Sequence, residues 1–101
     1  MLNIDKVKDV YLACGATDLR KSIDGLALIV ETQLKKDSYQ NALFVFGNKA
    51  MNRLKVLHFD EGFWLYYSRL DNGKLKWPQN KDEAIKINKE ELKWLLKGYE
   101  I

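Results

Sequence analysis

Two turn signals in close succession, Asp60-Glu61-Gly62 and Asp71-Asn72-Gly73, divide the centre of this chain into short segments. Asn72-Gly73 is the stronger of them, because a type I′ turn needs two residues that tolerate positive φ. "RLKVLHF", "FWLYYSRL" and "KLKW" then read as antiparallel strands, and Trp77-Pro78 ends the ladder because proline cannot donate to it. A two-residue turn at Asn72-Gly73 pairs Arg69 with Lys76. A three-residue loop at Asp60–Gly62 pairs Phe59 with Phe63, Leu57 with Leu65, Lys55 with Tyr67, and Arg53 with Arg69. Alternation gives one face Leu54, Val56, His58, Trp64, Tyr66, Leu70, Leu75 and Trp77, a core face. The other face carries Arg53, Arg69 and Lys76 as a row, with Lys55 and Tyr67 beside it. On that face Leu57, Phe59, Phe63 and Leu65 gather toward the Asp60–Gly62 end. A two-residue turn at Glu61-Gly62 would instead move Arg53 off the row.

Like charges directly opposite on a sheet destabilise it by roughly several tenths of a kcal/mol, so a purely structural sequence has reason to avoid such a row. A phosphate backbone would offset the repulsion, with Tyr67 adding stacking. Equally, arginine and lysine stems can cover the sheet and keep their heads in water. The charge distribution bears on this choice. Residues 1–40 carry six basic and six acidic side chains and residues 81–101 five of each, whereas residues 41–80 carry six against three. The whole net excess of +3 therefore lies on the central segment. The apolar patch needs cover as well, from the N-terminal helix or from another protein.

Around this centre the chain punctuates itself clearly. "DVYLAC" is a short strand bounded by Gly15. Thr17 can cap a helix with Asp18 in its first turn, and Leu19, Ile23, Leu26, Ala27, Val30 and Leu34 make its apolar stripe. Gly25 within that stripe costs about 1 kcal/mol relative to alanine, and the expectation is that it marks a close backbone approach, to a sheet. "ALFVF" has the apolar character of a central strand. After the short "AIKI", Asn88 and Glu91 form a capping-box start to "EELKWLLKG". The expected fold class is α+β: an antiparallel β-meander packed with a long N-terminal helix and a short C-terminal helix, one domain over residues 1–101.

Several function classes are disfavoured. No apolar run approaches the roughly 20 residues of a membrane span, and the N-terminus lacks a signal-peptide pattern, so a cytoplasmic protein without membrane contact is expected. The single cysteine, Cys14, allows neither an internal disulfide nor a cysteine-rich metal site. Asp18 and Asp24 diverge around a helix and Asp60-Glu61 suits a turn, so no carboxylate pair converges on a divalent metal. His58, the only histidine, alternates with apolar residues, and Cys14 has no assigned base. Gly15 ahead of a helix offers at most a weak anion site. No catalytic residues, metal or cofactor are expected.

"VYLACGATDLRKSIDGLA", "ALFVFGN" and "NRLKVLHFDEGFWLYYSRLDNGKLKWP", in this order and spacing, resemble the TnpB-type accessory protein of the IS-66 insertion-sequence family. The similarity covers roughly residues 9–80, and the terminal "LLKGYEI" is also typical. The family pattern falls on Asp18, Arg20, Lys21, Asp24 and Gly25. It falls next on Phe44, Phe46, Asn48, Arg53 and Lys55, and then on Asp60, Gly62, Trp64, Tyr67, Arg69, Leu70, Trp77 and Pro78. Where the family carries an arginine-rich run, this chain has Lys49, Ala50 and Met51, and His58-Phe59 replaces an aromatic pair. The resemblance implies an accessory protein of transposition, encoded beside a separate transposase, that is not the catalytic subunit. Combined with the basic row, it points to weak, largely non-specific DNA contact through Arg20, Lys49, Arg53, Lys55, Arg69 and Lys76. The alternative is docking on the transposase of the same element through Leu57, Phe59, Phe63 and Leu65, without touching DNA.

Overall fold

The computed structural model describes residues 4–71, 78–80 and 83–96. After a 3-10 turn at Ile4–Lys6 come β1 (Asp9–Ala16), α1 (Ile23–Thr32), β2 (Ala42–Gly47), β3 (Arg53–Phe59), β4 (Phe63–Arg69), β5 (Ala84–Ile87) and α2 (Lys89–Leu96). The fold is mixed α+β, with one five-stranded sheet in the order β4-β3-β2-β1-β5. β2, β3 and β4 form an antiparallel meander, its β3–β4 half set by the Asp60–Gly62 turn. β1 does not extend it: it runs parallel to β2, with Asp9 opposite Ala42. Parallel neighbours cannot be joined by a tight turn, so α1 serves as the crossover. β5 then pairs antiparallel with β1, Val10 facing Ile87.

Every residue of β2 is buried, as suits a strand covered on both faces. Its side chains alternate between two clusters. On one face Phe44 and Phe46 pack with Leu57 beneath Leu26 and Val30 of α1. On the other Leu43 and Val45 pack with Leu12 and Val56 against Leu92 and Leu95 of α2. The helices therefore lie on opposite sides of the sheet.

The N-terminal helix is short, 10 residues, and it begins after Ser22, not at Thr17. The start signals at Thr17-Asp18 are used otherwise. Asp18 Oδ1 accepts the Arg20 backbone N–H at 3.0 Å, and the Lys21 N–H donates to the Asp18 carbonyl at 3.2 Å. Such side-chain to backbone bonds compete with helix nucleation. The helix also stops early: Lys35 takes a left-handed φ of 55°, leaving Leu34 outside the helix but still packed on the core. The close approach at Gly25 is to Lys21, whose Cβ would lie 3.2 Å from an added side chain, and not to the sheet. At α2 the capping box forms as expected, Asn88 N–H donating to Glu91 Oε1 at 3.1 Å and Glu91 N–H to Asn88 Oδ1 at 2.8 Å.

Gly15 marks an irregularity near the end of β1, with φ 76°, a conformation that side chains disfavour. Its N–H donates to the Pro78 carbonyl at 2.7 Å, and the Thr17 N–H donates to the Gly47 carbonyl at 2.8 Å. The "CGAT" segment thus meets both the end of β2 and Pro78. The Asn72-Gly73 turn, with Leu75, Lys76 and Trp77, lies outside the described residues.

Candidate nucleic-acid interface

The register of β3 on β4 follows from a three-residue loop: Arg53 faces Arg69, Lys55 faces Tyr67, Leu57 faces Leu65, and Phe59 faces Phe63. Glu61 takes a left-handed φ of 57°, and the Asp60 N–H donates to the Gly62 carbonyl at 2.8 Å. Alternation then puts Arg53, Lys55, Tyr67 and Arg69 on the α1 face of the sheet.

At that end of the sheet the segment after β1 and the turn after β2 wall an open cleft of about 650 Å³. Arg20, Lys49, Arg53 and Tyr67 all line it, together with Asp18 and Asn48. β1 and β2 both finish here, and crevices beyond the carboxyl ends of parallel strands are recurrent ligand sites. Asn48 organises the β2–β3 turn. Its Oδ1 accepts the backbone N–H groups of Asn52 and Arg53, each at 3.0 Å, and its Nδ2 donates to Asn52 Oδ1 at 2.8 Å. Met51 anchors the turn from below, buried in the α2-side core despite a left-handed φ of 56°. Lys49 and Ala50 are left exposed at the tip. The one sequence signal for this device is a pair of asparagines four residues apart, Asn48 and Asn52.

The cations differ in how free they are. Arg20 donates through Nε and Nη2 to the Asp18 carboxylate, the shortest contact 2.8 Å, so this exposed pair is locally neutral. The Arg20 guanidinium holds the Asp18 carboxyl well below the usual carboxylate range. Lys55 Nζ donates to the Lys21 carbonyl at 3.1 Å and does not line the cleft. Arg69 lies 3.8 Å from Asp71, both exposed, a contact worth little in water. Among the described residues no ion pair holds Lys49 or Arg53. Lys76 lies outside the described residues.

The apolar patch has internal cover. Leu57 is 0% exposed beneath α1, and Phe63 and Leu65 pack against the same cluster. Phe59, Phe63 and Tyr39 form a ring triangle with centroids 4.9–5.1 Å apart. The helix side supplies cover for Leu57, Phe63 and Leu65, Tyr39 meets Phe59, and Leu57 is not available as a docking residue.

Cys14 is buried, which pushes its thiol pKa up, and among the described residues no three His, Cys, Asp or Glu side chains gather as a metal site. His58 lies on the opposite face of β3, 8% exposed, in a second cavity of about 380 Å³ with Lys6, Asp60, Trp64 and Tyr66. Burial pushes its pKa down, against a smaller opposing effect of Asp60. The unfolded chain therefore binds the proton more readily, and stability rises with pH up to about 6.5 and falls below it. Denaturant titrations between about pH 7 and pH 5 should show this loss, with a slope from His58 no steeper than about 1.4 kcal/mol per pH unit, and His58→Gln should flatten it.

Comparison with known proteins identifies the family. Among curated sequences, the chain is 39% identical over 90 residues to the uncharacterized protein y4hO of Sinorhizobium fredii, covering 88% of this chain and 78% of that protein. It is 32% identical over 90 residues to y4jC of the same organism, covering 88% and 77%. No solved structure matches. The family model described as "IS66 Orf2 like protein" matches residues 8–101. The chain belongs to the IS66 Orf2-like family of insertion-sequence-associated accessory proteins.

Proposed function

We propose that this protein is a non-enzymatic accessory factor of DNA transposition that grips DNA phosphates at the Arg53–Arg69 pair, working beside the transposase of its element. The observation that supports this reading is the placing of two exposed arginines directly opposite each other across β3 and β4. That arrangement costs stability unless an anion bridges it. Lys49 extends the positive surface across the cleft, and Arg20 adds a guanidinium already oriented by Asp18. Lys55 is tied to a backbone carbonyl and contributes charge at a distance. Phosphate contacts carry no base information, so binding is weak and largely independent of sequence. Docking on the transposase through Leu57, Phe59, Phe63 and Leu65 has no comparable support, since the patch is already packed beneath α1 and Tyr39.

A fluorescence-anisotropy titration of duplex DNA across a salt series tests the reading. Three contacts, from Lys49, Arg53 and Arg69, predict a slope of log K against log salt of about −3. Absence of binding at low salt, both alone and with transposase, would remove it.

A further inference from the structure

The cationic pair adjoins a feature that duplex binding does not require. Tyr67 is 57% exposed, although its neighbours on the same face nearer the loop are packed beneath α1. Its cross-strand partner Lys55 is drawn to the Lys21 carbonyl. Among the described residues the cation seated on an aromatic ring is Lys36, over Tyr11, so the Tyr67 ring carries none. Arg53 and Arg69 form the next cross-strand pair on this face, about 6.8 Å further along the strands. The cleft opens beside the ring, walled by small or apolar side chains (Ala16, Leu19, Ala50) as well as by cations.

We propose that this face prefers an unpaired DNA strand, one base stacking on Tyr67 beside the cleft while Arg53 and Arg69 hold the adjoining phosphate. The inference rests on the phosphate-binding reading above and narrows it. In a duplex the faces of the bases are stacked on one another, so an exposed ring has nothing to accept. An unpaired base offers its π-face, and stacking of this kind tolerates any sequence. Arginines set side by side next to a flat ring meet both parts of one nucleotide. A duplex can use only the phosphate half of that arrangement.

The test compares a labelled oligo(dT) of about 15 nucleotides, within the usual range for one binding domain, with a duplex of equal length at one salt concentration. The single strand is expected to bind more tightly. Tyr67→Ala should weaken single-strand binding about tenfold and leave duplex binding unchanged, whereas Tyr67→Phe keeps the preference. Tyr67→Trp gives a second readout: its fluorescence should be quenched by oligo(dT) and not by duplex. Equal binding of both forms with a silent Tyr67→Ala overturns the inference while leaving the phosphate reading in place. If neither DNA binds at low salt, both alone and with transposase, the phosphate reading itself is overturned, and the inference with it.

Discussion

Replacing Arg69 by glutamate should raise the stability of the fold and at the same time weaken its hold on DNA. In the wild type Arg69 faces Arg53 across the strand pair, and like charges so placed repel. Glutamate turns that repulsion into attraction, a change of roughly a few tenths of a kcal/mol, at the low end of the range because both groups are exposed. The lost contact to Asp71, at 3.8 Å and exposed on both sides, offsets little of this. Thermal unfolding should therefore shift upward by about 1–4 °C for a domain of this size. DNA binding moves the other way. One phosphate contact is removed and a negative charge is put in its place, so affinity should drop at least about tenfold and the salt slope should shrink by about one or more. Because stability and binding are expected to change in opposite directions, misfolding cannot mimic the result. If Arg69→Glu binds DNA as well as the wild type, the arginine pair is not a phosphate clamp.

Leu57→Ala should be the most damaging of the conservative changes. Leu57 is completely buried between β3 and α1, in contact with the cluster around Phe44, Leu26 and Val30. Truncation removes the side chain and leaves a cavity that rigid neighbours on both sides cannot fill, which costs about 2–5 kcal/mol. Domains of this kind are stable by only about 5–15 kcal/mol, so the loss takes a large fraction of the whole. Urea denaturation should show a lower midpoint with an unchanged slope, the signature of altered stability without altered compactness. A Leu57→Ala protein of wild-type stability that failed only to capture transposase would restore the docking role for this patch.

The β3–β4 register was legible because it depends on local chemistry. Asp60-Glu61-Gly62 admits a three-residue loop, and once the loop length is known every cross-strand pair follows. The partnership of β1 was not legible. "DVYLAC" and "ALFVF" are both apolar, and nothing local distinguishes a parallel neighbour reached through a helix from an antiparallel one reached through a turn. The helix start failed for a related reason: Thr17 and Asp18 have the composition of a cap, but Arg20 captured the aspartate first. The arginine pair of the candidate site could be placed from sequence, since it belongs to the hairpin. The cleft could not, because its walls come from two loops that only the β1–β2 pairing brings together.

The position of β5 has a consequence for synthesis. Val10, near the start of the chain, finds its antiparallel partner in Ile87, near the other end. Until that late segment arrives, β1 is an unpaired edge, and the apolar side chains of Leu12, Val45 and Val56 lack Leu92 and Leu95 as cover. A nascent or truncated chain ending before Ala84 thus presents an open strand beside a bare hydrophobic face, the combination that promotes intermolecular pairing. β5 and α2 therefore act together as a clasp, closing the open edge of β1 and covering the apolar face with one late segment.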